Sequence, residues 1–403
     1  MKFQGTRGGA SLEFREAISL GYPGDGGYFV PETLFEGSTN LRSAVYAPLA
    51  GFAEVVALAA SELLPEILDP RHLVDIVLES YEPEPPLHRL DKDILVLDMA
   101  SGASASSSDY AAAFEARLLG RLAESGREIV LAAASTRDAA ALGAAFSAKG
   151  MDLPLVLLCP EGQGGRLAAS LSVVHGSQVH VVEVEGGLAA AAGLERRLAG
   201  RSLAGRHVLA GGAASPARLL GRSLLLIGLF SLARRGLSGD LIVAAPPSDL
   251  LGLVTGLWAW SWGLPVSAFL LPDLDDVHHE EGIPCGFPGA KNPDDPDSLA
   301  GVELLRSFER ERPLGSLVLR MPLSSGTSRE NLVDGLELDE GSGLALEAAR
   351  AALAAGLAGH GTIVVPRFAG TVPVSAAAAV PGLCPLVKAE PEALESVLAA
   401  FLR

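Results

Sequence analysis

From Leu90 onward, short apolar runs alternate with longer Ala- and Leu-rich stretches, and this alternation constrains the fold more than any other feature of the chain. The runs are Ile94–Leu97, Ile129–Ala132, Leu155–Leu158, Val179–Val184, His207–Ala210, Leu241–Ala244, Val266–Leu271, Ser316–Leu319 and Thr362–Val365. Apolar strands with helices between them indicate a parallel sheet covered on both faces, since each crossover lays a helix on the sheet. The intervening helices include Asp138–Lys149, Leu188–Leu198 and Arg218–Ala233. So many strands predict an α/β protein with two such sheets. Residues 1–88 read differently: a short strand, a helix from about Ser11, a β-like Tyr28-Phe29-Val30, then helices near Gly51–Leu64 and His72–Ser80. The stiff stretch Glu82–Pro86 closes this section, because each proline fixes φ and removes a donor.

At 403 residues the chain is long enough for two domains with a sizeable core. Mean hydropathy is high, +0.33, so a membrane span must be tested. Leu250–Pro272 has the length, but Gly263-Leu264-Pro265 interrupts it and a β-rich piece follows. Helix, turn and buried strand is the expected order, with Trp258, Trp260 and Trp262 as core or interface aromatics. A subunit contact through this stretch, and hence a homo-oligomer, is an open expectation. No apolar leader is apparent at the N-terminus, so a cytoplasmic location is expected. Net charge is −17 without a basic stripe, which argues against a nucleic-acid partner. Cys159, Cys285 and Cys384 are far apart and suit free thiols. Asp273–Glu281 is rich in carboxylates with His278 and His279, yet reads as a solvated acidic loop, and no metal is expected.

Ser101–Tyr110, SGASASSSDY, lies between a strand and the helical run Ala111–Leu122. A Gly- and Ser-rich strand-to-helix turn gathers free backbone N–H groups, which is where α/β proteins build binding sites. Its side chains offer hydroxyls but no strong base.

Three N-terminal pieces carry a family resemblance: Thr6-Arg7-Gly8, Phe14-Arg15-Glu16-Ala17, and Asp25-Gly26-Gly27-Tyr28-Phe29-Val30-Pro31. In that order and spacing the chain resembles the threonine synthases, pyridoxal-phosphate (PLP) enzymes of the group that includes the tryptophan synthase β chain. Element order extends the likeness over nearly the whole chain. The resemblance implies two parallel-sheet domains with a cleft between them and a separate N-terminal section. The expected division is 1–88 for that section, 89–121 with 214–403 for a large domain, and 122–213 for a small one.

The family pattern also implies where a PLP site would lie. Its central H-G-P-T-x-A-F-K-D-F-G, aligned on Asp109-Tyr110-Ala111, puts Ser108 at the Schiff-base lysine and Ser101 at the histidine. Serine cannot form an imine, and none of the five lysines (Lys2, Lys92, Lys149, Lys291, Lys388) obviously replaces the missing amine. The phosphate loop corresponds to Pro247–Leu251, where Ser248 and Asp249 replace glycine-rich sequence. Asp249 is read as the cap of a following helix. The substrate loop keeps Ser135 as its first residue. The segment that meets the pyridine nitrogen becomes Pro366–Gly370, with Arg367 where the family has a hydroxyl. The histidine of a further E-P-H segment is absent from Glu340–Ala345.

The reading is a threonine-synthase-like pseudoenzyme without PLP, binding a small molecule or a protein partner in the cleft. One alternative is an active PLP lyase making threonine from O-phosphohomoserine. Another is a new activity in the emptied cleft, such as a hydrolase using Ser106, Ser107 or Ser108 with His278 or His360 as a distant base.

Overall fold

The computed structural model describes residues 1–32, 43, 45, 51–100, 102, 104, 106–123, 126–148, 151–172, 178–234, 241–247, 249–274, 295–323, 332–333, 336–357, 361–367 and 384–401. Strands β1 (Lys2–Gly5), β2 (Leu12–Glu13) and β3 (Phe29–Pro31) form a small antiparallel sheet in the order β2-β1-β3, with helix α1 (Phe14–Leu20) between the second and third. The short first strand and the β-like Tyr28-Phe29-Val30 read from sequence are β1 and β3; the two-residue β2 is too short for periodicity to show. Helices α2 (Phe52–Leu63) and α3 (Pro70–Ser80) follow. Asp69 accepts from Arg71 N and Pro70 takes the first turn, so α3 starts where its sequence dictates.

The large sheet is built from β4 (Leu87–Arg89), β5 (Ile94–Asp98), β11 (Leu241–Ala244), β12 (Val266–Leu274), β13 (Val318–Leu323) and β16 (Thr362–Arg367). Their order is β13-β12-β11-β16-β5-β4, parallel except at the β4 edge. The second sheet has the order β17-β8-β7-β6-β10-β9. It uses β6 (Glu128–Ala133), β7 (Leu155–Pro160), β8 (Val179–Val184), β9 (Ser202–Leu203), β10 (Arg206–Ala210) and β17 (Leu386–Val387). Its strands are parallel except for the β9–β10 hairpin. A two-stranded ribbon, β14 (Leu332–Val333) with β15 (Leu336–Glu337), is separate.

The two-faced burial read from the apolar runs is visible along β5. Ile94 and Val96 pack with Ile363, Val365 and helix α11 (Glu340–Ala354), while Leu95 and Leu97 join the main core on the other face. In the second sheet Ile129, Leu131, Val156 and Leu158 pack on Leu194 and Leu198 of α7 (Gly187–Leu198) and on Leu394 and Leu398 of α12 (Pro391–Phe401). The strand assigned to Ser316–Leu319 begins later, at Val318, because Ser316 belongs to the turn before it. Leu386–Val387, placed by sequence with the large domain, pairs with β8 in the other sheet. A two-residue strand carries no sequence signal of its partner.

Helix α8 (Pro216–Arg234) is the central pillar. It is also the one described helix long and apolar enough to cross a membrane, and 89% of that window is buried inside the protein. Around it pack α2, α4 (Ser108–Leu122) and α9 (Leu250–Ser261). Gly221 and Gly228 permit the close approach: a Cβ on Gly228 would stand 2.4 Å from Val56 Cγ2. The Trp-rich stretch is helix, turn and strand as expected, and Trp258 and Trp262 are buried within the chain. Trp260 lies under Arg312, 4.6 Å from guanidinium carbon to ring centre.

One ion pair sits fully inside. Glu115 on α4 and Arg218 on α8 have side-chain exposures of 0% and 2%. Arg218 Nε donates to Glu115 Oε2 at 2.8 Å, and the Ser215 hydroxyl donates to Glu115 Oε1. Removing one partner of a buried pair strands the other charge, which costs roughly 3–5 kcal/mol. Arg218→Met should therefore lower the urea unfolding midpoint sharply, and adding Glu115→Met should recover much of the loss. A double variant destabilised by the sum of the two single variants would show that the pair is not coupled.

Candidate functional site

The strand-to-helix turn is organised by Asp109 in the first turn of α4. Its carboxylate folds back to accept from Ser104 N at 2.9 Å, from the Ser104 hydroxyl, and from Ser106 N at 3.4 Å. Burial raises the Asp109 pKa, opposed by the Ser104 hydrogen bonds. The turn's donors thus serve its own helix start rather than an outside anion. Ser108 N donates to Ser106 Oγ at 3.1 Å, and the Ser108 hydroxyl donates to Asp138 Oδ1.

Asp138 belongs to the first turn of α5 (Thr136–Phe146), across the cleft on the second sheet's side. Ser135 caps that helix and donates its hydroxyl to Asp138 Oδ2 at 3.2 Å. Ser108 and Ser135, far apart in sequence, therefore share one carboxylate. Asp249 is the N-cap of α9, accepting from Gly252 N at 2.9 Å, as its sequence position suggests. Its other oxygen takes Arg222 Nη2 at 2.6 Å. Arg367, at the end of β16, donates to Asp98 Oδ1 at 2.8 Å, and the pair is largely buried at the end of neighbouring β5. Asp249 and Asp138 both raise the pKa of Asp297 on α10 (Pro296–Glu311), after burial, which is the largest cause. Met99, Arg222, Asp249 and Pro366 border a cavity of about 30 Å³. Ser101, Ser248, His278, His360, Lys149, Lys291 and Cys285 lie outside the described residues.

A second, much larger cavity of about 1000 Å³ lies beside this cluster, between Ala133, Gly212–Ala214, α7 and α10. Glu195 of α7 is its most buried carboxylate, 1% exposed. It accepts from Ala133 N at 2.7 Å, Gly212 N at 3.1 Å and Tyr22 Oη at 3.0 Å, so it ties the ends of adjacent strands β6 and β10 to the N-terminal section. Burial pushes its pKa up to about 7 despite those three donors. Arg196 Nη2 donates to Gly26 O and Gly27 O at 2.7 and 2.9 Å, and its guanidinium covers the Tyr28 ring at 4.4 Å. Across the cavity Arg7 forms a two-pronged pair with Glu303, at 3.0 and 2.8 Å.

Comparison with solved structures decides the fold. A threonine synthase from Escherichia coli matches with a TM-score of 0.73 at 19% identity, covering 99% of this chain and 100% of that one. The fold is that of threonine synthase. PLP-bound threonine synthase from Brucella melitensis matches with a TM-score of 0.69 at 17% identity over the full length of both chains, and the yeast enzyme matches with 0.69 at 16%. In sequence the likeness is weak. Threonine synthases from Haemophilus influenzae and Serratia marcescens are 24% and 23% identical over 265 and 261 residues. The chain spans 60% of the length of these curated relatives in the matched stretch. No family model matches.

Within this threonine-synthase fold, the N-terminal pieces that carried the resemblance now have roles. Thr6 and Arg7 bind Glu303 through their side chains, and Asp25 holds the turn through Gly27 N at 2.8 Å. Of the acidic stretch Asp273–Glu281 only Asp273 and Leu274 are described, both in β12, and Asp273 pairs with Arg320 at 2.5 Å. Sequence reasoning missed Asp138, Arg222 and Glu195. A signal for Glu195 exists: it lies on the buried stripe Ala191, Leu194, Leu198 of an amphipathic helix, where a carboxylate needs partners.

Two outcomes follow for stability. Replacing Ser108 by Ala should cost about 1–2 kcal/mol through the loss of a bond to a charged acceptor, read as a lower denaturant midpoint. For Glu195 the folded pKa, about 7, exceeds its ordinary 4.5. Between those values the folded chain holds the extra proton, so stability falls as pH rises through that window. Glu195→Gln should be less stable overall yet show a flatter pH dependence there; an unchanged slope would assign the titration elsewhere.

Proposed function

We propose that this chain is a threonine-synthase-like protein that does not use PLP and serves as a binding relative of the enzymes it resembles. The observation that carries the reading is Ser108. It stands where the family pattern has the Schiff-base lysine, and its hydroxyl is committed to Asp138. A hydroxyl cannot form the imine through which the cofactor is held and its chemistry run. The described lysines, Lys2, Lys92 and Lys388, are all exposed.

Two further observations support it. At the position of the phosphate loop, Asp249 presents a carboxylate paired with Arg222 in place of free backbone donors, and Pro246 and Pro247 have no N–H to offer. Met99, Arg222, Asp249 and Pro366 border a cavity of about 30 Å³, room for a water or two. The side chains at these positions do not fit PLP. What these residues do is hold the cleft shut onto itself: Arg367 with Asp98, Arg222 with Asp249, and Ser108 with Asp138.

The test is direct. Purified protein incubated with PLP should develop no aldimine absorbance in the visible range and no adduct after borohydride reduction. A stoichiometric reducible adduct would overturn the proposal in favour of an active PLP lyase. Ser108→Lys should not by itself yield threonine from O-phosphohomoserine, because the phosphate-loop position still carries Asp249.

A further inference from the structure

The cavity of about 1000 Å³ has the size of a small-molecule site, and none of Ser108, Ser135, Asp249 or Arg367 lines it. Its cations are Arg7, Arg196, Arg306 and Arg310, and its acids are Glu195, Asp297, Glu303 and Glu309. Counted formally these cancel, but the acids are not equally ionised. Burial drives Glu195 to about 7 and Asp297 well above the usual carboxylate range, the latter also through Asp138 and Asp295. Burial raises Glu309 as well. Burial alone would raise Glu303 too, but Arg7 and the Thr6 hydroxyl hold it below its ordinary value. Burial thus works against the charged form of three of the four acids, while Arg196 presents its guanidinium to the cavity.

The donors are also in place. Arg196 spends only Nη2 on protein carbonyls, and among the described residues its Nε and Nη1 have no hydrogen-bond partner. Its plane is held by the rings of Tyr22 and Tyr28, at 5.2 and 4.4 Å, so the fork is preorganised at little entropic cost. Around it the wall is small and apolar: Ala133, Ala189, Ala192, Ala213 and Val302.

We propose that this cavity binds a small organic anion, a carboxylate or phosphate head on a short carbon body, with Arg196 as the principal partner of the head. The Arg196 guanidinium selects the head and the apolar wall selects the body. Glu195, which accepts from Tyr22, Ala133 N and Gly212 N and has Glu115 nearby, tunes the affinity, because its proton removes a negative charge beside the ligand. This inference does not depend on the loss of PLP, since the two sites have different residues.

The experiment titrates the full chain with succinate, glycerol phosphate, inorganic phosphate and putrescine, following heat release and thermal midpoint. Saturable binding of succinate or glycerol phosphate is expected, and which of the two binds identifies the head. It should be tighter on the acid side of pH about 7 than on the alkaline side. Inorganic phosphate and putrescine should not saturate. Arg196→Gln should weaken binding by about tenfold or more. Because Arg196 also ties down Gly26 and Gly27, Ala192→Trp provides a second variant that fills the cavity and keeps those bonds; it should abolish binding. No saturation by either organic anion at millimolar concentration, equal binding of inorganic phosphate or putrescine, or affinity retained in a folded Ala192→Trp variant would each overturn the proposal.

Discussion

Two buried carboxylates hold the loop that joins the sheets, and the rest of the structure is arranged around them. Glu115 reaches from α4 to the Ser215 hydroxyl and Arg218, while Glu195 reaches from α7 to Gly212 N. Residues 212–215 are thus gripped at both ends, once from each domain's helices. A charge inside a protein is expensive unless fully satisfied. Glu115 is satisfied only when α4 meets α8 and the loop, and Glu195 only when α7 meets the loop, the end of β6 and Tyr22. Each also raises its own cost: the two acids lie near enough for Glu115 to push the Glu195 pKa upward. The loop is therefore held by groups that tolerate little displacement.

The same self-sufficiency describes the cleft. Among the described residues Asp249 has Arg222, Arg367 has Asp98, and Asp138 has two serines. A site built to hold a ligand leaves donors aimed at empty space; this cluster closes its donors on its own acids. The neighbouring large cavity is the contrast, because its arginine fork stays partly unspent.

Much of the fold was legible because parallel strands covered on both faces are written as uninterrupted apolar runs. Ile94–Asp98, Leu155–Pro160 and Thr362–Arg367 differ from their sequence expectations only at their ends. In the N-terminal section two of the three strands were legible, but the two-residue β2 and the pairing into one sheet were not, since such short strands are stabilised by neighbours rather than by pattern. At the site, Ser108, Asp249 and Arg367 could be singled out because a family pattern demanded something else of their positions. Their partners could not. Nothing in the sequence around Asp138, Arg222 or Asp98 says which distant residue it faces, because that information lives in the packing of the two sheets.

The placement of Leu386–Val387 has a consequence for the chain's tail. Beside β8 this short strand covers what would otherwise be a sheet margin, with Glu183 N donating to Pro385 O and Glu185 N to Val387 O. Helix α12 then seats Leu394 and Leu398 against the same layer. A chain clipped ahead of Cys384 would keep all its central strands but bare the β8 margin and an apolar face together. Such a margin is a template for another chain. The final residues act as a selvedge, the bound edge that keeps the sheet from joining its neighbours.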